Sequence, residues 1–268
     1  MPRVQDLIHY LMEFAPLDLA EDWDNVGLLL GDAAGQADRV MTCLTLTPDV
    51  AAEAIRDRVD VIVAHHPILF RAVKRVNTGT IEGRMLLDLI RANISVYSPH
   101  TAFDSALGGI NAQLADRLGL RDVRPLRPIV GDVPSPQSTG SGRYGELSEP
   151  VDFHAFLQTV LRPMRLTGCE AVATDRRIGR VAIACGSAAE FLPDAGTAGC
   201  DVLITGEARF HAALEARARG IGLILLGHYA SERFALETLA TTLADEFPDA
   251  TVWASRDERD PLKYIVKH

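Results

Sequence analysis

Residues 39–46 read RVMTCLTL and residues 60–64 read DVIVA; residues 180–187 read RVAIACGS and residues 201–205 read DVLIT. Arg39-Val40 precedes Arg180-Val181 by 141 positions, and Asp60-Val61 precedes Asp201-Val202 by the same 141. The two copies are therefore in register without a gap. Each holds two short apolar runs separated by an Ala-rich stretch, and each runs on through a helical segment to a third apolar run. Short apolar strands alternating with helices indicate an α/β fold. The expected architecture is two similar α/β lobes from an internal duplication. Each lobe has a largely parallel or mixed sheet flanked by helices.

Working outward, Val4, Leu7, Ile8, Leu11 and Phe14 recur at helical spacing, so the chain opens with an amphipathic helix. Asp24-Asn25-Val26-Gly27 turns into the apolar run 28–30. The expected strands cover 40–46, 59–64, 94–97, 181–184, 202–205, 221–226 and 251–255. Pro48 can start the helix that follows the first strand, and further expected helices cover 81–92, 110–118, 151–161, 188–198, 208–219 and 231–247. Residues 125–150 hold Pro125, Pro128, Pro134, Pro136 and Pro150 among glycines and serines, and read as a linker. That places an N-terminal lobe at 1–127 and a C-terminal lobe at 128–268, with the C-terminal tail free to pack back on the first.

The 268 residues carry a formal net charge of −9 and a pI near 5.4. This balance disfavours a general nucleic-acid or anionic-membrane binder, though not a locally positive pocket. Cys43, Cys169, Cys185 and Cys200 form no Cys-x-x-Cys pair, so a structural zinc knuckle has no support. Cys43 and Cys185, inside apolar runs, read as small buried hydrophobes. Asp6, His9 and Glu13 interrupt the first apolar stretch, unlike a signal peptide. No run has the roughly 18 apolar residues of a membrane span. The expected setting is cytoplasmic.

The polar residues of interest fall where the strands end, which is where α/β sheets gather functional groups. His65-His66 follows the second run directly. Side chains of adjacent extended residues diverge, so the pair serves two neighbouring ions better than one, unless both are ordinary turn histidines. The third run ends in His100-x3-Asp104 in the first copy and His228-x3-Glu232 in the second. On a helix that spacing puts both groups on one face. Either a capping carboxylate or a metal ligand fits one such tetrad. Three strand ends with imidazoles and carboxylates, in two repeated lobes, favour metal. His65-His66 aligns with Gly206-Glu207, so the second copy lacks the pair, and one asymmetric metal site between the lobes is expected instead of one per lobe. The first copy also carries about 13 extra residues around ILFRAVKRVNTG, where Arg71, Lys74 and Arg75 either meet a phosphate or form a solvated basic loop. The string Gly140-Ser141-Gly142-Arg143-Tyr144-Gly145 matches a dinucleotide-binding pattern, but Pro and Ser precede it where a strand is required.

DNVGLLLGD, VIVAHHPILF, SPHTAFDSALGGIN, GSGRYGEL, DVLITGEARFHAAL and LLGHYASE together resemble the Nif-three-like family, in its short form. Members are often labelled GTP cyclohydrolase I type 2 homologues or dinuclear metal centre proteins. The resemblance implies two divalent ions of zinc, manganese, iron or similar kind. His66 and Asp104 would bind one, His65 and His228 the other, and Glu232 would bridge both. His100, Glu207 and His211 match polar positions near the pocket and are candidates for orienting ligands or transferring protons. The implied activity is metal-dependent hydrolysis of a small nucleotide-like substrate, in the labelled case opening of the GTP imidazole ring with release of formate. A two-metal phosphoesterase and a non-catalytic metal-binding scaffold are the alternatives. The resemblance also implies a homo-oligomer, a ring-shaped hexamer.

Overall fold

The computed structural model describes residues 1–129 and 138–263. In chain order the helices are α1 (Val4–Phe14), α2 (Pro48–Arg56), α3 (Ile81–Arg91), α4 (His100–Ser105), α5 (Ile110–Arg117), α6 (Phe153–Leu161), α7 (Leu192–Thr197), α8 (Phe210–Arg219) and α9 (His228–Glu246). The strands are β1 (Gly27–Leu30), β2 (Arg39–Cys43), β3 (Val61–Ala64), β4 (Ser95–Ser98), β5 (Arg121–Arg124), β6 (Arg127–Pro128), β7 (Gly140–Ser141), β8 (Arg143–Val151), β9 (Glu170–Val172), β10 (Ile178–Ala184), β11 (Val202–Thr205), β12 (Gly222–Leu225) and β13 (Thr251–Ala254).

The chain divides into two compact units. The first comprises Met1–Glu13, Ala20–His100 and the segment from Leu236 onward; the second comprises Phe14–Leu19 and Thr101–Ala235. The division is therefore not the expected break at 127/128. The C-terminal segment belongs to the first unit because β13 adds to its sheet in parallel beside β2, with Val252 opposite Val40. Residues 101–127 belong to the second unit because α5 buries Leu114 and Ala115 in that unit's core.

The first unit's sheet has the order β1-β4-β3-β2-β13. β2, β3, β4 and β13 run parallel, and β1 is an antiparallel edge. β3 is buried at every position, as expected of a central parallel strand covered on both faces. Met41, Cys43, Ile62, Ala64 and Val96 pack on one face with Val50, Ala51 and Ala54 of α2 and Leu89 of α3. Thr47 caps α2 by accepting from the Val50 N–H, and Pro48 occupies the first turn, where its missing donor costs nothing. Gly31 closes β1 at φ +109°; a Cβ there would lie 2.2 Å from the Ser95 Oγ, so the DNVGLLLGD stretch needs glycine at that point.

The second unit's sheet has the order β5-β8-β10-β11-β12-β9. β10, β11 and β12 are parallel, while β8 and β9 flank them antiparallel. Its residues alternate between two cores. Val181, Ile183, Val202, Ile204 and Ile224 meet Leu114 of α5 and Phe153, Phe156 and Val160 of α6. Ala182, Ala184, Leu203 and Leu223 meet Leu192 and Ala195 of α7 and Ala216 of α8.

The segment expected to be a linker is in large part sheet. β8 spans nine residues and pairs with both β10 and β5, and the expected helix at 151 begins at Phe153 instead. Residues 130–137 of that segment lie outside the described residues. The glycine-rich string at 140–145 lies on β7 and the start of β8 and runs on as strand instead of opening a helix, so it lacks the frame of a dinucleotide site. Arg143 within it is buried and donates to the Ser105 and Ala106 carbonyls at the end of α4, 2.9 Å each. Burial lowers its guanidinium to about 10, still charged at neutral pH. Among the described residues no helix is long and apolar enough to cross a membrane.

Candidate metal centre

In the first unit the histidine pair sits just beyond β3. The His65 N–H donates to the Cys43 carbonyl (2.9 Å) and the His66 N–H to the Leu44 carbonyl (2.8 Å). The Ser98 hydroxyl donates to the His65 carbonyl at 2.7 Å. The backbone of both residues is thus fixed by its neighbours on either side of the strand. The His65 side chain is fully buried. The ring of His65 lies 5.0 Å from that of His66 and 5.2 Å from that of His100, centroid to centroid. One ring nitrogen from each of the three lies within 4.8 Å of the others. The sequence-derived His65, His66 and His100 are therefore brought together.

Two of these rings have an oriented second nitrogen. His66 Nδ1 is 2.7 Å from Thr45 Oγ1. The Thr45 N–H in turn donates to Glu258 Oε1 (2.7 Å), and the Leu44 N–H to Glu258 Oε2 (3.0 Å). His100 Nδ1 is 2.7 Å from Asp24 Oδ1, whose side chain is fully buried. His100 also has φ +28°, a left-handed backbone that a non-glycine residue adopts only where its surroundings enforce it. A ligating imidazole usually has its other nitrogen held in this way. Asp24 and Thr45 were missed as site residues. Asp24 carried a signal, since it stands in the quoted DNVGLLLGD stretch, whereas Thr45 carried none.

In the second unit the carboxylates are held with equal care. Cys185 Sγ donates to Asp104 Oδ1 (3.1 Å), and the Cys185 N–H donates to Asn111 Oδ1 (2.8 Å). The Asn111 amide closes the loop by donating to the Asp104 carbonyl (3.1 Å). Burial, and then the charges of Asp104 and Glu232, push the Cys185 thiol well above its usual range. The expected buried cysteine is buried, and it is also a hydrogen-bond donor to a candidate ligand. His228 starts α9, three residues before the expected start of that helix. Its Nε2 is 3.2 Å from Glu232 Oε2 one turn on, and its Nδ1 is 3.0 Å from Glu207 Oε1. The Glu232 carboxylate, helped by Glu207, raises His228 from 6.5 to about 9. Glu232 is 2% exposed. Gly186, at φ +67°, leaves room for it; a Cβ there would sit 2.4 Å from Glu232 Oε1.

Glu207 thus reaches His228, as a partner and at the surface. His211 is exposed on α8, its ring against Phe210 at 6.1 Å, and it is not among the convergent ligand groups of the described residues. The donor set is imidazole and carboxylate, which suits zinc, manganese or iron. A buried carboxylate paired with an imidazolium proton is a place where a cation can replace that proton.

Two α/β units whose strand ends carry convergent histidines and buried carboxylates define a class of candidate metal-binding proteins. A sequence model of the family described as Duf34/NIF3 (NGG1p interacting factor 3) matches residues 2–261, and the chain belongs to that family. It is 29% identical over 266 residues to the GTP cyclohydrolase 1 type 2 homolog of Clostridium perfringens, covering 98% of this chain and 100% of that one. It is 35% identical over 260 residues to the protein NIF3 homolog of Schizosaccharomyces pombe, covering 91% of each. The crystal structure of Staphylococcus aureus protein SA1388 superimposes with a TM-score of 0.88 at 27% identity, over 98% of this chain and 99% of that one.

Proposed function

We infer that the chain is a metal-dependent hydrolase that holds two divalent ions through His65, His66, Asp104, His228 and Glu232 and acts on a nucleotide-like substrate. The observation that carries this reading is the convergence of His65, His66 and His100, with ring nitrogens within 4.8 Å of one another at the end of a buried parallel sheet. The buried Glu232 beside His228 supplies the anionic part of the donor set. Such ions, when bound, make water a stronger nucleophile near neutral pH and polarise the group it attacks.

The chain's own residues do the rest. Thr45 and Asp24 hold the His66 and His100 rings through their Nδ1 atoms. Glu207 does the same for His228. His100, within reach of His65 and His66 and paired with the Asp24 carboxylate, is the best-placed group to accept or return a proton at its other nitrogen. Among the described residues His211 makes no comparable contact and is given no role.

The names of relatives such as that of Clostridium perfringens support GTP as the first substrate to try. The test is purified protein loaded in turn with zinc, manganese and iron and given GTP, with formate measured. Formate above the level seen with chelated protein supports ring opening. No formate with any of the metals, alongside phosphate release from nucleoside monophosphates, would move the assignment to a phosphoesterase. Neither product would leave a metal-binding protein without hydrolase activity.

A further inference from the structure

Beside the histidine cluster the first unit exposes two aromatic rings that the metal chemistry does not use. Trp23 is 60% and Phe70 49% exposed. Their rings meet edge to face, 5.8 Å apart at 77°. Each also meets His100, Trp23 at 6.1 Å and 76° and Phe70 at 6.2 Å and 87°. Residues far apart in the chain thus form one aromatic corner with His100 at its base. An edge-to-face contact covers at most one face of one ring of the pair, and with Trp23 60% and Phe70 49% exposed, aromatic surface remains in contact with solvent where a planar group can stack.

The corner is fixed in place. Asp24, next to Trp23, holds His100 Nδ1 at 2.7 Å. Asn25 Nδ2 donates to the Leu69 carbonyl at 2.8 Å, tying the Trp23 segment to the Phe70 loop. The loop then continues through Arg71, Lys74 and Arg75, all exposed, and no acidic residue occurs between His65 and Ile81. A local run of three cations in a chain of net charge −9 gives this loop a positive field that attracts anionic groups.

We propose that Trp23 and Phe70 form a stacking platform for a planar heteroaromatic ring, and that Arg71, Lys74 and Arg75 hold an anionic phosphate carried by the same molecule, so that the site is selective for nucleotides. This deepens the hydrolase reading and rests on it for the placing of the ring beside the reacting centre. The binding surface itself requires only the residues named.

The full-length, metal-loaded protein carrying Trp253→Phe leaves Trp23 as the single tryptophan, since the chain has two. Its emission is followed during titration with GMP, guanosine, ribose 5-phosphate and inorganic phosphate. GMP should quench saturably, guanosine should quench with weaker affinity, and ribose 5-phosphate and phosphate should not quench. In the parent chain, Trp23→Ala should weaken GMP binding about tenfold or more, measured calorimetrically, and Trp23→Phe should restore most of it. Arg71→Ala with Lys74→Ala and Arg75→Ala should weaken GMP and leave guanosine unchanged. Elemental analysis should show unchanged metal in every variant. Unaltered GMP affinity in Trp23→Ala, or no saturable quenching in protein that holds its metal, would overturn the platform and leave the metal site standing. Emission that changes on diluting the protein without ligand would also overturn it, because the surface would then be covered by a second copy of the chain. Saturable quenching without turnover of any nucleotide would sink the hydrolase reading and leave the platform intact.

Discussion

Asp60 and Asp201, 141 positions apart, do the same work in their respective sheets: each carboxylate accepts two backbone N–H groups from the entry of the adjacent strand. Asp60 Oδ2 takes those of Asp38 (3.0 Å) and Arg39 (2.9 Å). Asp201 Oδ2 takes those of Gly179 and Arg180, both at 2.9 Å. The arginines match as well, since Arg39 Nε donates to the Asp57 carbonyl and Arg180 Nη1 to the Ala198 carbonyl. These residue pairs share the same offset. The strands agree too, because each unit contains an antiparallel edge followed by three parallel strands, β1-β4-β3-β2 in one and β9-β12-β11-β10 in the other.

Each of these carboxylates fixes donors that would otherwise lack a ladder partner at the strand entry, and bonds to an ionised acceptor are the stronger kind. Asp60→Ala and Asp201→Ala should therefore each lower stability by about 2 kcal/mol. Urea unfolding of the two variants is the measurement. An effect at one position and none at the other would show that the shared geometry does not carry shared energetics.

Gly186 lies close against the Glu232 carboxylate. Gly186→Ala puts a methyl group where Glu232 Oε1 now lies, and adds strain at φ +67°. The carboxylate must move, so metal content should fall in this variant although no ligand is altered. Glu232→Ala should go further and lose both ions if the carboxylate bridges them. Elemental analysis of both proteins decides the matter: about two metals per chain retained in Glu232→Ala would refute a bridging role.

Much of this was legible in the sequence, for identifiable reasons. Runs such as 61–64 and 202–204 are short, uninterrupted and apolar, as a strand covered on both faces requires. The edges were harder. β8 reads RYGELSEPV, with arginine, glutamates and proline in a stretch rich in turn residues, and only its pairing with β10 and β5 makes it a strand. β9 has three residues and no pattern of its own. The partners of the histidines follow the same division. His65 and His66 announce themselves, but Thr45 acts on a residue 21 positions away and Asp24 on one 76 away. The DNVGLLLGD stretch flags Asp24 as a residue, but which histidine it or Thr45 holds is a property of the fold and leaves no local trace.

Thr45 offers a direct check on ring orientation. Thr45→Val keeps the shape of the side chain and removes the oxygen 2.7 Å from His66 Nδ1. Removing a partner of this kind typically weakens metal binding about 10- to 100-fold. Competition against a chelator should show that loss. Glu258→Gln, which leaves the Thr45 hydroxyl in place but weakens the hold on the Leu44 and Thr45 N–H groups, should show a smaller one. Equal affinity in Thr45→Val and the parent would mean that His66 needs no such support.

His228 gives the metal-free protein a pH dependence of known sign. Its folded value is about 9 against 6.5 for a free imidazole, chiefly because Glu232 accepts its proton. A group raised in the folded state stabilises fully below its unfolded value and loses that contribution as pH rises through its folded one. The chelated protein should therefore lose stability between about pH 6.5 and pH 9. The loss should be on the order of 1 kcal/mol, because the side chain is 36% exposed and solvent weakens the pairing. A bound cation would take the place of the proton, so metal-loaded protein should lack this loss and should take up metal more tightly as pH rises. Thermal unfolding of chelated and loaded protein across that range tests both. The same slope in chelated His228→Gln as in the parent would place the effect on another group.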